Sequence, residues 1–295
     1  ANSIAKFKKV QNVGLARPTL AHRVLTALER KKILKYWIQQ NHDGLPQKAG
    51  YPEWKMNSIH GDWFDISNPV VQFSGSLRSD LFDDMLKKER RTDLCLCLGT
   101  SLSGMNADRM ATTPAKDCDL PRPKSRCAMS KDSLKSANTL GTVIVNLQRT
   151  YLDKKSSLRI WAKLDDVFER LAQKMNMKVE DYAPLEMPIA LPKTEIEMVF
   201  PLPRYNAMTG ERLKDSEPDS DFVIDLREGK RIVVIHPDAC NKGRQAVVQC
   251  CDPEGNFNFL LKEVGKLPRR YTLGRWWIPA AMNAKMKQFP IANIE

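Results

Sequence analysis

The sequence predicts an α/β fold in which a parallel sheet lies under helices, followed by a Pro-rich linker and a small β-rich module. The first observation is the continuous apolar run Asp93–Leu98, which is typical of a strand buried on both faces. The second is the alternation of strand and helix patterns up to about residue 178. The third is a series of short apolar segments after residue 222, separated by glycine and Asp-Pro turns.

Residues 1–178 carry the α/β pattern. Arg17-Pro18-Thr19 has the composition of a helix start, and apolar residues follow at helical spacing up to Lys31-Lys32. The further elements expected are strands at Tyr36–Gln40, Pro69–Phe73, Asp93–Leu98 and Val143–Asn146, and helices at Leu81–Arg91 and Trp161–Met175. The Pro-, Lys- and Ser-rich stretch at about 112–139 is predicted to be a mobile surface insertion.

The character of the chain changes after residue 178. The stretch 179–221 is rich in proline and polar residues, which favours a linker or an extended strap across another surface. Residues 222–295 are predicted to form the small β-rich module, for which a barrel is one arrangement. Asp252–Gly255 is expected to be one of its turns. Its expected strands are Phe222–Leu226, Arg231–His236, Gln245–Cys250 and Phe257–Leu261.

Composition narrows the class of protein. The 295 residues carry a net charge of +12, so an acidic partner is one explanation: nucleic acid, an anionic membrane surface or an acidic protein. The other explanation for the positive charge is that the protein belongs to a large assembly or to a basic compartment. No apolar run approaches the roughly 20 residues of a membrane span. The seven cysteines form no CxxC pair and no disulfide framework, which favours a reducing, intracellular location over secretion.

Cations and aromatic rings alternate near the C-terminus, at Arg269-Arg270-Tyr271 and Arg275-Trp276-Trp277. This pattern serves base stacking in proteins that bind single-stranded nucleic acid. More often such tryptophans pack into a core or an interface. We expect Trp276 or Trp277 to be buried and this module to hold the chain in a larger assembly.

A polar cluster follows the strand Tyr36–Gln40. It runs Gln40-Asn41-His42-Asp43-Gly44-Leu45, and Ile59-His60-Gly61 comes soon after it. Ligands bind at the carboxyl ends of strands in open α/β sheets, so this cluster is a candidate site. Each piece also has a plain structural explanation, because Asn and Asp form turns and Thr and Ser start helices.

Together these pieces resemble the sirtuin family. Gln40–Leu45 with Ala49-Gly50 is similar to the Gln-Asn-x-Asp-Gly-Leu and Ala-Gly motif of sirtuins, and His60-Gly61 to their catalytic histidine-glycine. Gly99-Thr100-Ser101-Leu102 resembles the family's Gly-Thr-Ser-Leu, and Val143–Asn146 its strand ending in an adenosine-contacting asparagine. The resemblance covers about residues 10–178, in the order found in the family. It implies a Rossmann layer.

The resemblance implies an NAD-dependent deacylation of acyl-lysine in protein substrates, with a role for each matching residue. His60 matches the base that deprotonates a ribose hydroxyl, and Asn41 and Asp43 match residues of the nicotinamide pocket. Val71 and Phe73 match the strand that grips the acyl-lysine. The residues expected to bind the cofactor are Gln40, Gly99, Thr100, Ser101 and Asn146.

Departures from the family pattern qualify that implication. Nothing before Arg17 resembles the Gly-Ala-Gly phosphate loop, and only Asp62–Asn68 lies where sirtuins carry their zinc module. Gly104-Met105-Asn106 replaces the family's Val-x-Pro. We therefore expect no zinc, weak or absent NAD binding, and a fold that is degenerate or inactive as this chain stands. The alternatives are a non-catalytic scaffold subunit of a larger assembly and, third, a basic nucleic-acid-binding protein.

Overall fold

The computed structural model describes residues 16–72, 74–118, 139–183, 198–261 and 267–294. They divide into two compact units. The first unit contains residues 16–18, Gln39–Ser79 and the chain from Asp181 onward. The second contains Thr19–Ile38 and Asp80–Glu180.

Short helices and strands make up both units. The α-helices are α1 (Leu20–Arg30), α2 (Leu45–Lys48), α3 (Ser79–Glu89), α4 (Arg109–Cys118), α5 (Leu164–Lys174) and α6 (Trp277–Met282). The strands of the first half are β1 (Trp37–Gln39), β2 (Met56–Ser58), β3 (Leu94–Leu98), β4 (Gly141–Val145) and β5 (Leu158–Ile160). Those of the second half are β6 (Val199–Pro201), β7 (Val223–Asp225), β8 (Arg231–Val234), β9 (Gln245–Val248), β10 (Phe257–Leu261), β11 (Arg269–Leu273) and β12 (Ile291–Ile294).

The second unit is built on a parallel sheet of three strands in the order β3-β4-β5. One face packs against α1 and α5 through a cluster that contains Val24, Leu28 and Phe168, with Leu98 beside it. The other face contributes Cys97 and Ile144 to a cluster with residues of α4 and the loop before it. Cover on both faces is what the apolar run of β3 predicted, and the α/β fold class is confirmed.

Two expectations about the strands were wrong. The strand predicted at Tyr36–Gln40 is present as β1, but it pairs with β2 and is not a member of the parallel sheet. Residues 69–72 of the predicted strand Pro69–Phe73 have no strand structure, and Phe73 lies outside the described residues. Their backbone turns instead, since the amide of Gly75 bonds the carbonyl of Gln72 at 2.7 Å.

The first residues of the stretch predicted to be a mobile insertion are helical instead. Residues 112–118 belong to α4, where Thr113 donates a hydrogen bond of 2.6 Å to the carboxylate of Glu89. Residues 119–138 of the insertion lie outside the described part of the chain. The composition alone hid the helix because Pro114 stands within it.

The first unit contains the β-rich module, whose antiparallel sheet has the order β11-β10-β9-β8-β12. Alternate residues of β10, Phe257, Phe259 and Leu261, point into its core. Phe64 and Ile66 from the segment after His60 belong to the same core. The two compact units therefore do not follow the predicted domain boundaries at about residues 178 and 221, because the segment after His60 shares its core with the C-terminal module.

The aromatic residues near the C-terminus belong to this core too. Trp276 and Trp277 are 7% and 5% exposed, so they are buried as expected, but against their own chain. They are therefore not available as a stacking surface for nucleic acid. Residues 198–221 of the predicted linker also contribute, since Leu202 and Tyr205 are fully buried. Residues 184–197 lie outside the described residues. Among the described residues, no helix is long and apolar enough to cross a membrane.

Candidate functional site

The polar cluster after β1 forms a tight turn into α2. The carboxylate of Asp43 accepts a hydrogen bond of 3.1 Å from the amide of Leu45, which forms an Asx turn immediately before α2. Gly44 has φ of +62°, and a Cβ atom there would lie 2.6 Å from the ring of Phe64. Asn41 is exposed, and Gln40 and Asp43 are half-buried. Asp43 thus shapes the turn, whatever further role it has.

The histidine-glycine pair is held by its backbone. Gly61 has φ of +93°, and a Cβ atom there would lie 2.5 Å from the carbonyl oxygen of Pro69, so only glycine fits. The amide of Val71 donates to the carbonyl of His60 at 3.0 Å. The His60 side chain is half-buried. This loop geometry presents the imidazole from a fixed backbone.

His42 connects the two motifs, which sequence reasoning missed. Its Nδ1 lies 2.8 Å from the carbonyl oxygen of Gly61, and a carbonyl only accepts, so Nδ1 carries the proton. The amide of Trp63 in turn donates to the carbonyl of His42 at 3.0 Å. His42 stands at the variable position of the Gln-Asn-x-Asp-Gly pattern, so the sequence motif did not predict this contact.

The segment after Gly61 is a buried polar loop. Asp62 is 5% exposed and accepts hydrogen bonds from the amide of Phe64 at 2.7 Å, Ser58 Oγ at 3.0 Å and Gln47 Nε2 at 3.2 Å. Asn68 donates through Nδ2 to the carbonyl of Ser58 at 2.9 Å. These bonds satisfy a polar loop inside a core, where unpaired groups would be costly.

Two carboxyl groups, Asp62 within this loop and Glu53, have raised pKa values. Burial, which outweighs the hydrogen bonds from Phe64, Ser58 and Gln47, raises the pKa of Asp62 to about 7, and the charge of Asp65 adds to the effect. Burial also raises the pKa of Glu53 to about 8, with further contributions from Asp62 and Asp65. Glu53 Oε2 is buried and has no hydrogen-bond partner among the residues that the structure describes. Neither group was singled out from the sequence.

The Gly-Thr-Ser segment follows the carboxyl end of β3 in the second unit. Gly99 is exposed with φ of +63°, and its amide bonds the carbonyl of Val145 at 3.0 Å. Thr100 Oγ1 accepts from the amide of Leu102, and Ser101 Oγ contacts Ser103 Oγ at 3.1 Å. A glycine-led loop with small hydroxyl side chains at a strand end suits close approach by phosphate or ribose.

Asn146 ties this loop to the neighbouring strand end. Its Nδ2 donates to the carbonyl of Thr100 at 2.8 Å, and its Oδ1 accepts from the amide of Gln148 at 3.1 Å. The predicted residues Gly99, Thr100, Ser101 and Asn146 are thus brought together in the second unit. Gln40, Asn41, Asp43 and His60 belong to the first unit.

The departure at Gly104-Met105-Asn106 has a structural counterpart. The carboxylate of Asp108 accepts from the amides of Gly104 at 2.7 Å and Met105 at 3.0 Å. The chain then forms a single helical turn at Asn106–Asp108 that leads into α4. This stretch begins a helix and has no strand structure, and the amides of Gly104 and Met105 are engaged by Asp108.

Comparisons with known proteins agree with the motifs. The Sir2 family matches residues 3–67, a region that includes the Gln40–Leu45 and His60-Gly61 motifs and begins upstream of them. "NAD-dependent protein deacetylase SRT1" of Arabidopsis thaliana is 30% identical over 208 residues, which cover 58% of this chain and 40% of that protein. "NAD-dependent protein deacetylase sirtuin-7" of Homo sapiens is 24% identical over 216 residues, covering 59% and 50%. A solved structure, "Sir2-p53 peptide-NAD+", is 21% identical with a TM-score of 0.43, covering 57% and 75%.

The chain is thus similar to sirtuins in the order of its motifs, and residues 3–67 match the Sir2 family. The sequence resemblance is thereby confirmed. The chain spans about two fifths to half of the length of these curated relatives.

Proposed function

We propose that this chain carries a sirtuin-type NAD site for protein-lysine deacylation, with His60 as the base, and that the chain as it stands here is catalytically impaired. The carrying observation is the tethered loop at the carboxyl ends of β3 and β4, where Gly99 has positive φ and Asn146 holds the Thr100 carbonyl. The relatives named above are described as NAD-dependent deacetylases, which supports the same assignment.

The residues of the strand-end loop fit a nucleotide. Gly99 is exposed and has no side chain to obstruct a phosphate, while Ser101 is exposed and carries a hydroxyl that can bond a ribose or phosphate oxygen. Asn146 is fixed in position by its bonds to Thr100 and Gln148. NAD bound there would supply a nicotinamide leaving group and an electrophilic ribose carbon.

His60 would accept the ribose hydroxyl proton in this proposal. Imidazole suits proton transfer near neutral pH, and its backbone is fixed by the bond from Val71 and by the turn at Gly61. Asn41 and Asp43 would line the nicotinamide pocket, with Gln40 along the ribose. Of the two residues that match the acyl-lysine contact, Val71 lies within the described part of the chain, and it would line that contact.

One specific observation supports impairment. Residues 104–108 are engaged as a capped helix start, whereas a strand edge is needed for main-chain pairing with an extended peptide. The same observation favours the second candidate, a non-catalytic scaffold subunit held by protein partners. A basic nucleic-acid-binding role ranks third, since Trp276 and Trp277 are buried. An intracellular location belongs to the proposal.

Two measurements separate these candidates. NAD is titrated calorimetrically into the chain, and nicotinamide release is followed with an acetyl-lysine peptide for wild type, His60→Ala and His22→Ala. His22 lies in α1 and serves as the matched histidine control. Binding with slow turnover that is lost in His60→Ala alone supports the impaired enzyme. Binding without turnover, or no binding, favours the scaffold, and turnover that survives in His60→Ala refutes the assigned base.

A further inference from the structure

The residues that follow the three parallel strands form a row. Leu98, Val145 and Ile160 are neighbours in the register of β3, β4 and β5. The next residues are Gly99, Asn146 and Trp161, and the row continues through them, because the Asn146 amide bonds the Ile160 carbonyl at 3.2 Å. Adjacent strands lie about 4.8 Å apart, so Trp161 stands next to Asn146. The proposed function uses the first two positions and leaves the third unassigned.

Trp161 has an unusual setting for a large aromatic side chain. It is 54% exposed, and the guanidinium carbon of Arg159 lies 3.7 Å from the centre of its ring. Arg159 and Trp161 are two residues apart and share one face of the strand. Such a contact between a cation and an aromatic face holds the indole against Arg159.

Arg159 is itself fixed. Its side chain is 11% exposed, and its Nε pairs with Asp153 at 2.7 Å. Its Nη1 donates to the carbonyl of Asn146 at 2.9 Å, and its Nη2 donates to that of Gln148 at 2.6 Å. The same guanidinium thus supports the Trp161 ring and the backbone of the residue assigned to the adenosine ribose. A platform whose parts are already ordered loses little entropy on binding.

We propose that Trp161, resting on Arg159, is the platform on which the purine base of the bound nucleotide stacks, beside Asn146. This inference rests on the proposed function, since it takes the nucleotide to be the adenine end of NAD. Every base has a π-face, and an indole offers the largest aromatic surface for it. The platform would make the second unit a binding site for adenine nucleotides.

ADP is the probe for this inference, because it carries the base, ribose and phosphates without the nicotinamide. It is titrated calorimetrically into wild type, Trp161→Ala, Trp161→Phe and Tyr151→Ala. Tyr151 is the matched control, since it is 82% exposed and, within the described residues, has no cation over its ring. Loss of stacking is expected to weaken ADP binding about tenfold or more in Trp161→Ala. Trp161→Phe should lose on the order of threefold, and Tyr151→Ala should bind as wild type does.

The outcomes are separable from those of the proposed function. Wild-type ADP affinity in Trp161→Ala, with an unchanged melting temperature, overturns the platform even if NAD turnover is found. No ADP binding to wild type overturns it as well. Conversely, ADP binding that depends on Trp161, without any turnover that depends on His60, retains the platform and refutes the deacylase. Trp161→Phe guards against misfolding, because it keeps a ring over Arg159.

Discussion

The buried carboxyl of Glu53 gives a prediction about stability and pH. Its pKa is raised from an ordinary value of 4.5 to about 8, chiefly by burial and then by the charges of Asp62 and Asp65. Such a rise corresponds to roughly 4 to 5 kcal/mol in favour of the protonated form. Because the folded chain holds this proton more tightly than the unfolded chain, the free energy of unfolding falls as pH rises from about 4.5 to about 8.

Glu53→Gln removes the group that ionises while keeping its shape. At about pH 5 the variant and wild type should have similar free energies of unfolding. At about pH 8.5 the variant should be more stable by roughly 2 to 4 kcal/mol, less than the full figure because Asp62 ionises over an overlapping range. Asp62→Asn should behave in the same direction, since burial raises the pKa of Asp62 to about 7.

Urea unfolding at the two pH values measures the difference directly, and a carboxyl-carbon NMR titration locates the proton. Glu211→Gln replaces an exposed carboxylate of the same unit and should follow the wild-type pH dependence. A constant difference between Glu53→Gln and wild type across pH would refute the argument. So would a wild-type chain that becomes more stable from pH 5 to 8.5 by an amount that Glu53→Gln does not alter.

Three further predictions concern single contacts. Gly61→Ala should cost about 2 kcal/mol or more, seen as a lower urea midpoint, because its Cβ would meet the Pro69 carbonyl at 2.5 Å in a positive-φ backbone. Lys48→Met should cost about 3 kcal/mol by the same measurement, since Lys48 Nζ is buried 2.6 Å from the Glu254 carboxylate; an unchanged midpoint would contradict this. Asp108→Ala should lower the free energy of unfolding by about 1 kcal/mol, seen as a lower melting temperature, because two backbone amides lose their acceptor. Asp108→Asn should restore part of this stability.

Local sequence patterns predicted individual helices and strands better than they predicted which strands pair with each other. The apolar run of β3 and the short strands β8, β9 and β10 were recognisable because composition and turn residues act within a few positions. The strands β11 and β12 were not expected. Arg269-Arg270 gave no alternating pattern, and Ile291–Ile294 follows close behind a helix that was also unexpected.

The residues of the candidate site also divide into those that local motifs predict and those whose role depends on the tertiary structure. His60, Gly99 and Asn146 could be named from motifs because a turn glycine, a strand end and a polar residue are local features. The contact of His42 with Gly61 could not, since nothing in either motif specifies which carbonyl the imidazole reaches. Trp161 was likewise seen only as the start of a helix pattern, and its place beside Asn146 depends on the register of β4 and β5.

The sequence by itself determined the resemblance to sirtuins, the α/β class and the residue types at the strand ends, because these follow from short-range order along the chain. Only the tertiary structure decided that Phe64 and Ile66 share a core with the C-terminal sheet. It also decided that burial raises the pKa of Glu53 to about 8 and that of Asp62 to about 7. Burial and the charges around a carboxyl group arise from residues far apart in the sequence, and no local pattern encodes them.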